Sequence, residues 1–248
     1  MPSEATTGKA GAAPRPPRLP RRLDGPGPPG GRLVDGATYD ACALAQLDCS
    51  GQVAAEVTLS GATLSAVDLG GTDLPDLRLL DVACGGCDLA NAGWRKARWE
   101  RVACDACRAV GLQANEAVLR DVRFRDCDLR LAQFRYARFR AVRFEGCSLR
   151  EADFRGADLS GVVFARCDLR EADLTDATLA GADLRGSQVE GLRLGPGGAG
   201  GLIVDPVQLF EVVKFLGITV LPGDAGEPPP PAAAAGPGPA PADRRGGR

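Results

Sequence analysis

Two cysteine pairs hold the most chemically suggestive spacing in this chain: Cys84-Gly85-Gly86-Cys87 and, twenty residues on, Cys104-Asp105-Ala106-Cys107. Four thiolates so spaced suit a tetrahedral zinc ion. The wider pattern points elsewhere. Cys87 and Cys107 open a series that continues through Cys127, Cys147 and Cys167, where no second cysteine accompanies them. All of these positions fall where neighbouring units place Ala, Val or Leu, and free cysteine behaves by default as a small buried hydrophobe. Buried thiols are therefore expected, with no metal and no cofactor.

Other catalytic chemistry is thin. The chain has no histidine, which removes the commonest general base, Ser-His and Cys-His nucleophile pairs, and most catalytic zinc sites. Its lysines are Lys9, Lys96 and Lys214, none in a Ser-Lys motif. Carboxylates such as Asp153, Asp158, Asp168, Asp173 and Asp183 recur singly instead of converging on a cleft that would perturb their pKa values. Gly195-Pro196-Gly197-Gly198-Ala199-Gly200 satisfies GxGxxG, yet no strand–helix–strand unit surrounds it. No enzyme is expected, and no catalytic residue is assigned.

What positions all of these residues is a repeat. From Leu59 to Leu194 an apolar residue falls at every fifth position, as in Leu64, Leu69, Leu74, Leu89, Phe124, Leu129, Phe134, Phe139, Phe144, Leu149, Phe154 and Leu159. Two residues earlier sits a smaller one: Ala62, Val67, Val122, Cys127, Ala132, Ala137, Val142 and Cys147. A helix repeats near 3.6 and a flat strand at 2, so neither explains a strict five. Fixed self-similarity marks a stacked repeat architecture. A second period of twenty appears in the cysteine series and in Val82, Val102, Val122, Val142 and Val162. If four units close one coil, residues twenty apart stack, and this longer period is what such a coil requires.

Units such as Ala152-Asp153-Phe154-Arg155-Gly156 and Ala182-Asp183-Leu184-Arg185-Gly186 resemble the pentapeptide-repeat family over roughly residues 42–194. The resemblance implies an all-β fold, a right-handed quadrilateral parallel β-helix with a short C-terminal capping helix. In the middle coils Cys84, Cys104, Ala109 and Ala114 are undersized at the centre, while Trp94 and Trp99 are oversized. Trp94 lies beneath Ala114 in the twenty-residue register, so compensated packing is expected.

Composition divides the chain around this repeat. Residues 1–32, rich in Pro, Gly and Arg, are expected to be a disordered arm, and 223–248 a disordered Pro/Ala-rich tail. Residues 33–58 read as an irregular first coil and N-terminal cap, because Gln52 breaks the small-apolar rule. Residues 59–194 form the regular β-helix and 195–222 a C-terminal cap of loop, helix and short strand. In the cap, Asp205 fits a helix N-cap and Pro206 the first helical position. Leu209, Phe210, Val212, Val213 and Leu216 make an apolar stripe that caps the stack, either alone or while also meeting a second copy, as the resemblance implies. No apolar run approaches the ~20 residues that span a bilayer, and the N-terminus lacks a signal peptide's apolar core. A cytoplasmic protein with reduced thiols and no membrane partner is expected.

Two binding functions stay open. Resemblance to the Qnr and mycobacterial quinolone-resistance branch implies a dimeric DNA mimic that binds DNA gyrase or topoisomerase IV, a type II topoisomerase. Against an acidic mimic stands the run Arg120, Arg123, Arg125, Arg130, Arg135, Arg138, Arg140, Arg143 and Arg150. Arg130, Arg150 and Arg170 stack in the register and are the candidate partner contacts. The rival is a protein-interaction scaffold unrelated to topoisomerase, whose basic face binds an acidic partner or nucleic acid. A basic arm with Lys9, Arg15, Arg18, Arg21 and Arg22 is the further nucleic-acid candidate. The net charge of −2 is too even to choose between them.

Overall fold

The computed structural model of the chain describes residues 11–195 and 198–214. Unit by unit, the chain steps around a square. Parallel pairing at a fixed offset of twenty residues recurs on all four sides, through Thr38↔Thr58, Ala43↔Thr63, Asp48↔Asp68 and Val53↔Asp73, and continues upward for about eight coils. The early strands are β1 (Thr38–Asp40), β2 (Ala43–Ala45), β3 (Thr58–Ser60) and β4 (Thr63–Ser65). In the middle coils two sides merge into eight-residue strands: β5 (Arg78–Gly85), β6 (Arg98–Asp105), β7 (Val118–Arg125) and β8 (Arg138–Glu145). Above them lie β9 (Val163–Ala165), β10 (Asp173–Leu174) and β11 (Arg193–Leu194).

The apolar positions point inward because each side is too short to turn both faces to solvent. Val82, Val102, Val122 and Val142 pair in one ladder. Phe124, Phe144 and Phe164 stack face to face in another, with centroids 4.9 and 5.0 Å apart, close to the ~4.8 Å strand spacing. Trp94 and Trp99 lie buried 5.6 Å apart, and Trp94 donates its Nε1–H to Thr72 Oγ1 at 3.1 Å. Among the described residues the Trp99 Nε1–H has no acceptor.

Turning a corner every five residues demands a left-handed residue at each. Glycine takes this place in Gly51, Gly71, Gly156 and Gly181, but Asp81, Arg101, Asp121, Leu131 and Tyr136 hold positive φ as well. L-residues resist that conformation by ~1–2 kcal/mol each. The inter-coil hydrogen bonds on either side of each corner hold them there.

The ends differ from the sequence expectations. Gln52 closes the first coil instead of spoiling it: its Oε1 accepts from Leu33 N at 2.8 Å and its Nε2 donates to Gly31 O at 2.9 Å. Residues 11–32 do not form a free arm. Residues 11–25 lie along one corner of the stack, tied by Arg15 to Asp121, by Arg18 N to Asp81 and by Gly25 N to Ala41 O, and Gly27 and Gly31 then pass beside Leu44 and Leu47 of the first coil. A composition count misses this because proline-rich backbone is already extended and needs little apolar burial to dock. Lys9 and the rest of residues 1–10 lie outside the described residues.

At the other end, Ile203 pairs with Asp183 and adds a last rung. The sequence predicts a helix beginning at Pro206; the structure places α1 at Leu209–Val213, preceded by a turn. Asp205 Oδ1 accepts from Val207 N and Gln208 N at 3.0 and 3.1 Å, while Gln208 Oε1 accepts from Asp205 N at 2.9 Å. These reciprocal bonds have the form of a capping box, set on the turn that leads into α1. Leu216, the final extended piece and the tail 223–248 lie outside the described residues.

Candidate binding surface

The repeat's aspartates, which a linear reading leaves free on the surface, are engaged by their own backbone. Asp68, Asp88, Asp128, Asp158, Asp168, Asp173 and Asp183 each accept a hydrogen bond from the N–H two residues on, at 2.8–3.3 Å. An aspartate turn of this kind builds the corner. Where an arginine stands at that second position, its guanidinium closes on the same carboxylate: Arg130 on Asp128, Arg155 on Asp153, Arg170 on Asp168 and Arg185 on Asp183. These guanidiniums hold Asp128, Asp168 and Asp183 below the usual carboxylate range.

Arg130, Arg150 and Arg170 do share a side, since Asp128, Ser148 and Asp168 pair in register beside them. The structure neutralises each one. Arg130 and Arg170 take the bidentate contacts just described, and Arg150 reaches Glu171 at 2.6 Å and Glu151 at 3.5 Å. Such exposed pairs contribute ~0–1 kcal/mol, so they are exchangeable but offer no standing excess of charge.

The excess lies elsewhere. Arg78, Arg98, Arg120, Arg138 and Arg140 are all exposed on the first side of β5–β8, and none has a carboxylate within ion-pair distance among the described residues. Arg78 pairs with Arg98 in the strand register, Arg120 with Arg140, and Val118 with Arg138. Exposed Val118 sits between Arg98 and Arg138, so an apolar spot interrupts the cations. Sequence order hides the cluster because its members arrive one or two per coil. The twenty-residue register was the signal that could have found it.

The interior holds the thiols. All nine cysteines are buried and free. Along the ladder each thiol donates to nearby carbonyls, Cys87 to Leu64 O at 3.6 Å and Cys127 to Cys104 O at 3.4 Å. Hydrogen bonding to Cys107 lowers the Cys127 thiol, but bonding to Cys147 and burial outweigh it and push the group up to about 12. Cys147 reaches about 12 in the same way: its bond to Cys127 lowers it, while Cys167 and burial raise it more. Among the described residues no three Cys, Asp or Glu side chains converge as a metal-ligand set.

On α1, Val212 is buried against the last coil, whereas Leu209 and Phe210 are 49% and 64% exposed and Val213 is half-buried. The side chain that locks the cap is polar. Buried Gln208 donates from Nε2 to Leu184 O and Ser187 O at 2.6 and 2.7 Å. No helix among the described residues is long and apolar enough to cross a membrane.

A family model described as a pentapeptide repeat region matches residues 79–154 and 97–174. No curated protein sequence matches the chain. Among solved structures, a trypsin-treated variant of QnrB1, a plasmid-mediated fluoroquinolone resistance protein, is 22% identical. It covers 75% of this chain and 100% of that one, with a TM-score of 0.30. HetL of the cyanobacterium Nostoc sp., a pentapeptide repeat protein involved in heterocyst differentiation regulation, is 18% identical. It covers 68% of this chain and 87% of that one, with a TM-score of 0.28. The fold is carried by the chain's own strand register.

Proposed function

The chain belongs to the pentapeptide-repeat family, and from that premise we propose that it is a non-catalytic binding protein whose arginine face receives the acidic surface of a protein partner. One observation carries the reading: Arg78, Arg98, Arg120, Arg138 and Arg140 converge on one side of β5–β8 without carboxylate partners among the described residues. Unpaired guanidiniums attract an acidic partner from a distance and raise its association rate. The exposed Val118 among them favours a protein over a nucleic acid, because protein interfaces join arginine to an apolar centre. Arg130, Arg150 and Arg170, on another side, are secondary contacts that exchange their own carboxylates for the partner's.

The family's Qnr branch supplies the second reading, a DNA mimic acting on DNA gyrase or topoisomerase IV. Such a mimic needs free carboxylates in phosphate-like rows, and here Asp128, Asp153, Asp168 and Asp183 are each closed by a guanidinium. Both readings are tested with one set of proteins. Fluorescence anisotropy with labelled polyglutamate should show binding that weakens with salt and falls at least tenfold in Arg98→Ser/Arg120→Ser/Arg138→Ser. Gyrase supercoiling should continue unchanged with the wild type added. Tighter binding of duplex DNA than of polyglutamate would move the face to nucleic acid. Gyrase inhibition that survives the triple substitution would restore the mimic.

A further inference from the structure

The segment that covers the corner between the two sides of β5–β8 is itself a ligand in form. Gly11, Pro14 and Pro17 are the half-buried residues of the stretch 11–20, and the residues between them are exposed. A period of three is that of polyproline II. The segment descends the stack one corner after another. Gly11 lies so close to Gly161 that a Cβ on it would fall 1.7 Å from the Gly161 carbonyl oxygen. Arg15 meets Asp121, Arg18 N meets Asp81 at 2.8 Å, and Pro20 packs on Gly61. From Gly161 to Gly61 is five coil steps, about 24 Å at ~4.8 Å each, and nine residues of polyproline II reach about 28 Å. The match is close enough that nearly every turn of the segment has a corner to sit on.

The receiving corner is built for this. Asp121 is 4% exposed and takes three hydrogen bonds from one residue: Arg15 N at 3.1 Å, Nε at 2.9 Å and Nη2 at 2.6 Å. Arg101, on the coil between, is held to Asp81 at 2.7 and 2.8 Å and to Glu100, so it flanks the acceptors without satisfying Asp121. Val102, Ala103 and the Arg123 stem line a shallow cleft under Pro14, Pro16 and Pro17. A buried carboxylate that accepts a forked guanidinium, carboxylate oxygens on Asp81 and Asp121 that accept two backbone N–H groups, and a small apolar floor together read a proline-flanked arginine.

We propose that the corner Asp81–Arg101–Asp121 is a recognition site for a proline–arginine segment of a partner protein, held shut by the chain's own residues 14–18. Tethering gives the arm an effective concentration of about millimolar, so a free segment that binds the open site at ~10 μM meets roughly a hundredfold competition in the closed one. A partner therefore engages when its segment is tethered nearby by other contacts, or when the arm is drawn away. This inference does not depend on what meets the arginine face.

The test uses the full chain, wild type and Arg15→Glu, which sets a carboxylate against Asp121 and frees the corner. The probe is a fluorescein-labelled peptide with the sequence of residues 11–20. It should bind Arg15→Glu at least tenfold more tightly than wild type, and lose that binding in Arg15→Glu/Asp121→Asn. Trypsin should cut the Arg18–Leu19 bond at least tenfold faster in Arg15→Glu than in wild type, while far-UV circular dichroism of the two stays the same. Equal cleavage rates, or a peptide that binds neither chain or both alike, would overturn the site. A wild-type dimer that Arg15→Glu dissociates would show the arm on a second copy's corner and overturn the closed arrangement.

Discussion

Trp94 and Trp99 are neighbours with the same ring and nearly the same burial, yet only the Trp94 N–H finds an acceptor. A satisfied hydrogen bond contributes ~1 kcal/mol net and an orphaned buried donor costs ~1–3 kcal/mol. Trp94→Phe should therefore lower stability by at least about 1 kcal/mol more than Trp99→Phe, measured by urea unfolding. Phe144, stacked between Phe124 and Phe164, should cost about 3–5 kcal/mol on truncation to Ala, and Ser148→Ala within about 0.5 kcal/mol. The thiols make a further claim at this scale. An ordinary cysteine titrates near 9.0, while Cys127 and Cys147 hold their protons to about 12. Above pH 9 the unfolded chain has released protons that the folded one keeps, so stability present below pH 9 is lost as pH rises toward 12. Urea midpoints between pH 8 and 11 should fall, and fall less steeply in Cys127→Ala/Cys147→Ala. The inward side of the tryptophans, Phe144 and the cysteines was legible in the sequence, because a period of five with a small residue two before leaves no choice of face. Hydrogen-bond partners such as Thr72 were not: they depend on which coil lies above.

Corners and caps were less legible than sides. The left-handed residue at each corner is glycine in some units and Asp, Arg, Leu or Tyr in others, so residue type hides a regularity that φ reveals. Leu131, half-exposed at φ 60°, tests it. Glycine removes ~1–2 kcal/mol of left-handed strain and adds ~0.5–1 kcal/mol of chain entropy, so Leu131→Gly should gain about 0.5 kcal/mol. Leu131→Val, β-branched, should lose about 1 kcal/mol. Asp205 showed itself as a cap, but the lock, Gln208, did not, because a buried glutamine looks like a surface residue until its carbonyl partners are placed. Leu209 and Phe210 remain uncovered on α1, and we propose that they meet a second copy by an isologous contact. Sedimentation at micromolar concentration should show a wild-type dimer and a folded, monomeric Phe210→Glu. A wild type that sediments as a monomer throughout would remove the contact.

At the scale of the molecule, every coil touches only the coils above and below it, and such a stack has no internal reason to stop at a given number. The arm, an element composition could not place, supplies one. Between its anchors on Asp121 and Asp81 the chain advances three residues, from Arg15 to Arg18, a reach of about 10–11 Å when fully extended. Two coil steps, about 9.6 Å, fit within it; three, about 14.4 Å, do not. A coil duplicated between those corners, for example by repeating residues 92–111, would keep every ladder in register and leave each side chain on its proper side. The arm could then hold one anchor or the other, never both. Residues 15–18 thus work as a gauge laid along the stack, and the count of coils beneath them is fixed by the length of a piece of chain that belongs to none of them.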